Sequence, residues 1–125
     1  MWFKLILLIV GGAIGTVCRF LVSSLVHSRL GDSFAWGTLV VNLSGCLLIG
    51  FLWSLSSEKN ILSPTIKLFF MVGFLGAFTT FSTYALESIN FLREKEILLM
   101  VGNIFLNNVA GFMMVIAGIW CARLL

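Results

Sequence analysis

The chain has 125 residues, 60% of them hydrophobic and 10% charged, with a formal net charge of +3. A soluble domain carries about a quarter charged residues, so the composition speaks against a soluble enzyme and leaves no charged tail for nucleic acid. Cys18, Cys46 and Cys121 lie in separate apolar blocks without a CxxC pair or a nearby His. They read as small apolar fillers rather than a redox or metal centre.

Four apolar blocks run over 2–26, 35–55, 64–91 and 97–124. Each reaches the ~20 residues a helix needs to cross hydrocarbon. The pattern predicts an all-α membrane protein of one domain, 1–125, with four transmembrane helices at about 2–28, 33–56, 64–92 and 95–124. Both termini then lie on the same side. The first block opens like a signal peptide, with Lys4 and an apolar run, but it continues through a glycine-rich stretch to Arg19 without a cleavage site.

Charge placement is more informative than the total. One side receives Lys4, Lys59, Lys67 and Arg123, the other Arg19, Arg29, Arg93 and Lys95. Orientation normally follows an excess of Lys and Arg in cytoplasmic loops. Here the bias cancels, which predicts insertion in both orientations and an antiparallel dual-topology dimer with its axis in the membrane plane.

In the first span, Gly11 and Gly15 form a GxxxG pattern that lets helix backbones approach closely. Arg19 near its end has two readings: a cation snorkelling to the interface, or one lining a water-filled vestibule that attracts anions. In the second span Thr38, Asn42, Gly45 and Ile49 fall on one stripe. An Asn in a span must face protein or water. Asn42 therefore either bridges helices or donates to something that passes.

The third span starts with Ser63 as cap and Pro64 at the first helical position. Its middle, Gly73-Phe74-Leu75-Gly76-Ala77-Phe78-Thr79-Thr80-Phe81-Ser82-Thr83-Tyr84, combines helix-weakening glycines with a run of hydroxyls. The expectation is a break at mid-membrane, with Gly73 and Gly76 loosening the helix and the hydroxyls rebonding freed backbone groups. Phe81 and Tyr84 share a face, with Glu87 one turn on. They are either core rings or rings whose electropositive edges meet an anion. The fourth span carries Asn103, Asn107 and Gly111 at spacings of four, with Asn108 beside them. The resulting track holds amide, hydroxyl and ring-edge donors and no His or Lys, which suits a channel better than a proton relay.

Gly11-Gly12-x-x-Gly15…Arg19, Gly37-Thr38-Leu39-x-Val41-Asn42-x-x-Gly45 and Gly73-x-x-Gly76-x-x-Thr79-Thr80-Phe81-Ser82-Thr83-Tyr84-x-x-Glu87 together resemble the CrcB/Fluc fluoride channel family. The resemblance covers nearly the whole chain. It implies an antiparallel dimer of four-helix subunits in the cell membrane, with two pores that let fluoride leave the cytoplasm passively. It also implies a structural Na+ at the dimer centre, held by backbone carbonyls at positions matching Gly76 and Thr79. The pore positions it implies are Asn42, Phe81, Tyr84, Ser82, Thr83, Thr38 and Glu87, with Arg19 in a vestibule. Tyr84 stands where Phe is usual. Asn103 and Asn107 stand where the family commonly has Tyr and Ser, so a donor is kept while the identity changes.

Fluoride is small and tightly hydrated, so a pore must replace its water with donors moderate enough to let it go. The competing reading is a small dual-topology exporter of the multidrug-resistance type. It requires a carboxylate early in the chain, and the first two spans contain none. A homodimer is expected, and a paralogous partner subunit is equally compatible with a cancelled charge bias.

Overall fold

The computed structural model describes residues 1–125, and every regular element is helical. Four helices are long and apolar enough to cross a membrane: Trp2–Leu30, Trp36–Ser57, Pro64–Arg93 and Ile97–Arg123. The four-span, all-helical architecture read from hydropathy is thus the one observed, and the chain is a multi-pass membrane protein. Only 19 of 125 residues are buried within the subunit. Side chains such as Leu98 and Phe112 point outward, as they do where hydrocarbon or another protein replaces water.

Local chemistry sets the connections. Gly31 adopts φ 77, a left-handed conformation that only glycine takes easily, and its N–H donates to His27 O to close the first span. Ser63 Oγ accepts from Ile66 N at 3.3 Å, with Pro64 occupying the first position of the third span. At the same end of the molecule, Glu58 joins the second span to the fourth. Its Oε2 accepts from Ser54 Oγ at 2.6 Å and from Arg123 Nε at 2.9 Å, while Oε1 accepts from Arg123 Nη2. Those donors hold the Glu58 carboxyl down at about 2.

The spans pack through glycines, because lipid supplies no hydrophobic drive between them. The second and fourth spans form the most extensive pair. A Cβ on Gly50 would collide with the Val115 carbonyl, and one on Gly118 with the Leu47 carbonyl. The first span lies on the first half of the third, where a Cβ on Gly15 would strike the Phe74 carbonyl. Gly11 meets Gly73 across the same interface. A small apolar cluster of Val41, Leu75 and Phe78 closes the centre, with Cys18 and Val22 packed against it.

Two spans depart from regular α-helix. The third runs through a π-helical segment, Leu68–Phe74, and an α-turn, Leu75–Phe78. Its backbone is then extended at Thr79 (φ −79, ψ 156) and Thr80 (φ −146, ψ 112), and it resumes as Phe81–Arg93. The interruption therefore sits at two threonines, and the glycines expected to cause it stay helical. Gly73 is a packing contact instead, and Gly76 opens to the outside of the subunit. The fourth span has its own π-helical segment, Leu106–Ala110, which contains Asn107 and Asn108. Such segments re-aim side chains and recur at functional sites.

Candidate functional site

The break in the third span is held by side chains at every point. Thr79 Oγ1 donates to Leu75 O at 3.0 Å, turning its hydroxyl onto the helix that ends there. Thr80 caps the helix that begins there: its Oγ1 accepts from Thr83 N at 3.3 Å and lies 2.9 Å from Thr83 Oγ1. In an unbroken helix Thr80 N would bond Gly76 O. It donates instead to Asn42 Oδ1 at 2.9 Å, and Asn42 Nδ2 donates back to Thr80 O at 3.1 Å. The amide of the second span thus stands in for the missing backbone partner of the third, and Gly76 O is released from the ladder.

From Asn42 a chain of amides runs behind the break. Asn42 Nδ2 also donates to Asn107 Oδ1 at 2.9 Å, and Asn107 Nδ2 donates to Asn103 Oδ1 at 2.9 Å and Asn103 O at 3.0 Å. Asn103 Nδ2 donates to Ser88 Oγ at 3.0 Å and to Tyr84 O at 3.4 Å, while Ser88 Oγ donates to Tyr84 O at 2.9 Å. The chain leaves the third span at Thr80 and returns to it at Tyr84. Every amide hydrogen of Asn42, Asn107 and Asn103 has a protein acceptor, and Asn103 is fully enclosed at 0% exposure. Asn42 thus bridges the second, third and fourth spans while also lining the cleft beside the break. Asn103, read from the sequence as a donor toward a pore, faces Ser88 and the Tyr84 carbonyl.

Three clefts meet around this framework. The first, of about 390 Å³, is lined by Asn42, Gly76, Thr79, Phe81, Tyr84 and Asn108 among others, and none of its lining residues is charged. Phe81 and Tyr84 meet edge to face there, with centroids 5.3 Å apart. Phe81 is 77% exposed, whereas Tyr84 is buried and its hydroxyl oxygen accepts from Asn108 Nδ2 at 3.0 Å. The second cleft, of about 530 Å³, gathers Arg19, Thr38, Thr80 and Thr83. Arg19 turns inward, with Nη1 donating to Thr79 O at 3.5 Å. The third, of about 290 Å³, contains Thr38, Glu87 and Glu94 beneath the His27–Asp32 pair. Thr38 Oγ1 donates to Glu87 Oε1 at 2.6 Å, and Glu87 Oε2 is buried without a partner. Thr80 borders the first two clefts and Thr38 the last two. Ser82 is exposed and lines none of the three.

No cluster of His, Cys, Asp or Glu could hold a metal ion. A cation here would need carbonyl ligands. Gly76 O, left without its helical partner by the break, fits that role; Thr79 O fits it less freely, because Arg19 already donates to it. Thr80 and Asn108, noted in the sequence only as part of the hydroxyl run and the polar stripe, and Ser88, not noted there, complete the framework. A threonine three residues before Thr83 is a local cap signal. Each of Ser88 and Asn108 bonds a carbonyl four residues back, but the partners that tie them to the site, Asn103 and Tyr84, lie 15 and 24 residues away.

The family model described as "CrcB-like protein, Camphor Resistance (CrcB)" matches residues 6–119. Among similar curated proteins, the fluoride-specific ion channel FluC of Nitrosococcus oceani is 41% identical over 125 residues, covering all of both chains. The FluC of Hydrogenovibrio crunogenus is 44% identical over 113 residues, 90% of this chain and 86% of its own. The FluC of Solidesulfovibrio magneticus is 38% identical over 122 residues, 98% of each. With the family model matching residues 6–119 and relatives about 40% identical over nearly the whole of both chains, this chain belongs to the CrcB-like family.

Proposed function

We propose that the chain is a fluoride-selective channel that lets fluoride leave the cytoplasm down its gradient. The observation that carries this reading is the interrupted third span, flanked by an uncharged cleft on one side and the Arg19 cleft on the other. Arg19 draws an anion toward the break, and Thr83, the Phe81 ring edge and the Tyr84 hydroxyl replace its water in turn, while Thr38 lines the route with its hydrogen given to Glu87. Glu87, bonded to Thr38, lies toward one end of this route, with Ser82 on the open face beside it. Asn42, Asn107 and Asn103 act from behind, fixing where the break stands. The match to a channel family supports passive transport rather than catalysis. The full-length similarity to proteins named fluoride-specific ion channels supports the same reading. The exporter alternative has no such support.

The functional unit is an antiparallel homodimer with two pores. Apolar side chains exposed beside the break, Phe81 above all, then face the second copy. A Na+ at the dimer centre would be held by the Gly76 and Thr79 carbonyls of both subunits, supplying fixed positive charge between the two pores.

Purified protein in liposomes tests this directly. Fluoride efflux through a fluoride electrode should far exceed that of empty vesicles, with chloride efflux near background. Fluoride release no faster than from empty vesicles would sink the proposal.

A further inference from the structure

We propose that Asn108 is a positioning residue that locks the Tyr84 phenol in one direction, its oxygen accepting from the protein and its hydrogen held as a donor for a small hard anion. Asn108 Nδ2 lies 2.8 Å from Ile104 O and 3.0 Å from Tyr84 Oη. Reversing the amide would set Oδ1 against the Ile104 carbonyl oxygen, so the Ile104 contact fixes the amide with nitrogen toward the phenol. The phenol oxygen is therefore an acceptor at this contact. No protein acceptor takes its hydrogen, although Tyr84 is only 8% exposed.

A hydroxyl hydrogen without a protein acceptor is left for another partner in the cleft. Tyr84 and Asn108 both line the uncharged cleft beside the break, and the edge-to-face contact with Phe81 restrains the ring. Fluoride is the strongest hydrogen-bond acceptor among the halides, so a donor that cannot turn away favours it over chloride. This rests on the channel reading for its ligand. The lock itself does not depend on that reading.

Tyr84 is the only tyrosine in the chain, so its vibrational spectrum can be read without overlap. The Raman tyrosine doublet distinguishes a phenol whose oxygen accepts from one whose hydrogen is donated. In a preparation with a tyrosine-free tag, the wild-type protein without fluoride should give the acceptor signature. Asn108→Leu should abolish it. Asn108→Asp should reverse it to the donor signature, because a carboxylate can only accept. A donor signature in the fluoride-free wild type, or no change in either variant, would overturn the lock.

Flux supplies the second readout. Tyr84→Phe should slow fluoride efflux about tenfold, the worth of one hydrogen bond to a charged partner, and narrow the fluoride-to-chloride ratio. Asn108→Leu should slow it less, and should have no further effect in the Tyr84→Phe background. If the two losses multiply, Asn108 does not act through the phenol. If wild-type vesicles release no fluoride, the channel reading fails while the Raman comparison still decides the lock.

Discussion

Asn42 grips Thr80 by both of its backbone groups, accepting from its N–H at 2.9 Å and donating to its carbonyl at 3.1 Å. An amide offers a donor and an acceptor side by side without needing to be protonated. Asn42→Asp keeps the acceptor and loses both donated bonds, to Thr80 O and Asn107 Oδ1. Asn42→Ala loses all three. Each partner left unsatisfied inside the subunit costs about 1–3 kcal/mol. Both variants should lower the thermal unfolding temperature in detergent, Asn42→Asp also because its carboxylate would face the acceptor oxygens of Thr80 and Asn107, and both should suppress fluoride efflux. Wild-type flux from either variant would show that the break stands without this clasp.

The glycine contacts give a prediction about assembly of the spans. A Cβ at Gly118 would meet the Leu47 carbonyl and lie 2.8 Å from Phe51 N, both rigid backbone atoms. Overpacking of this kind typically costs about 1–3 kcal/mol. A Cβ at Gly102 meets nothing within 4 Å. Gly118→Ala should reduce the yield of folded protein and its unfolding temperature, while Gly102→Ala should be indistinguishable from wild type. Equal tolerance of the two changes would contradict the close approach of the second and fourth spans.

What the sequence made legible was whatever depends on near neighbours. Hydropathy marks four spans because each crosses hydrocarbon on its own, and Ser63-Pro64 announces a helix start through a bond only three residues long. The cause of the break was not legible in the same way. Gly73 and Gly76 look like weak points in a linear reading, yet the backbone opens where Asn42, 38 residues away, competes for Thr80. Likewise the spacing of Asn103 and Asn107 reveals a polar stripe. Which way its donors point depends on Ser88, Tyr84 and a π-helical segment fixed only by packing.

The Glu58 clasp predicts an acid-sensitive join between the second and fourth spans. Bonds from Arg123 and Ser54 lower the carboxyl from an ordinary 4.5 to about 2 in the folded protein. A group depressed on folding contributes its full stabilisation above the unfolded value and loses it as pH falls through the folded one. The contribution should thus be intact above about pH 4.5 and decline toward pH 2. Unfolding temperatures measured across that range should fall for the wild type, with a shallower fall for Glu58→Gln. Parallel curves would mean the clasp is too solvent-screened to matter.

Gly76 has lost the Thr80 N–H as partner for its carbonyl, and an added Cβ there meets nothing in its own subunit. Within one subunit Gly76→Ala should therefore be neutral, and the variant should insert and keep wild-type helix content. The proposed dimer changes that expectation, because the same position then lies against a second copy and a shared cation. A methyl group there should crowd the partner, and replacing Na+ with N-methylglucamine should remove the charge that offsets carbonyls brought together. Both treatments should shift the detergent-solubilised protein from dimer toward monomer in light scattering, and both should slow fluoride efflux. The positive charge of Arg19 beside Thr79 O bears on the same balance. If Arg19 supplied the neutralisation by itself, Arg19→Gln would dissociate the dimer and sodium replacement would not. A dimer insensitive to Gly76→Ala and to loss of sodium would remove both the cation and the break from the interface.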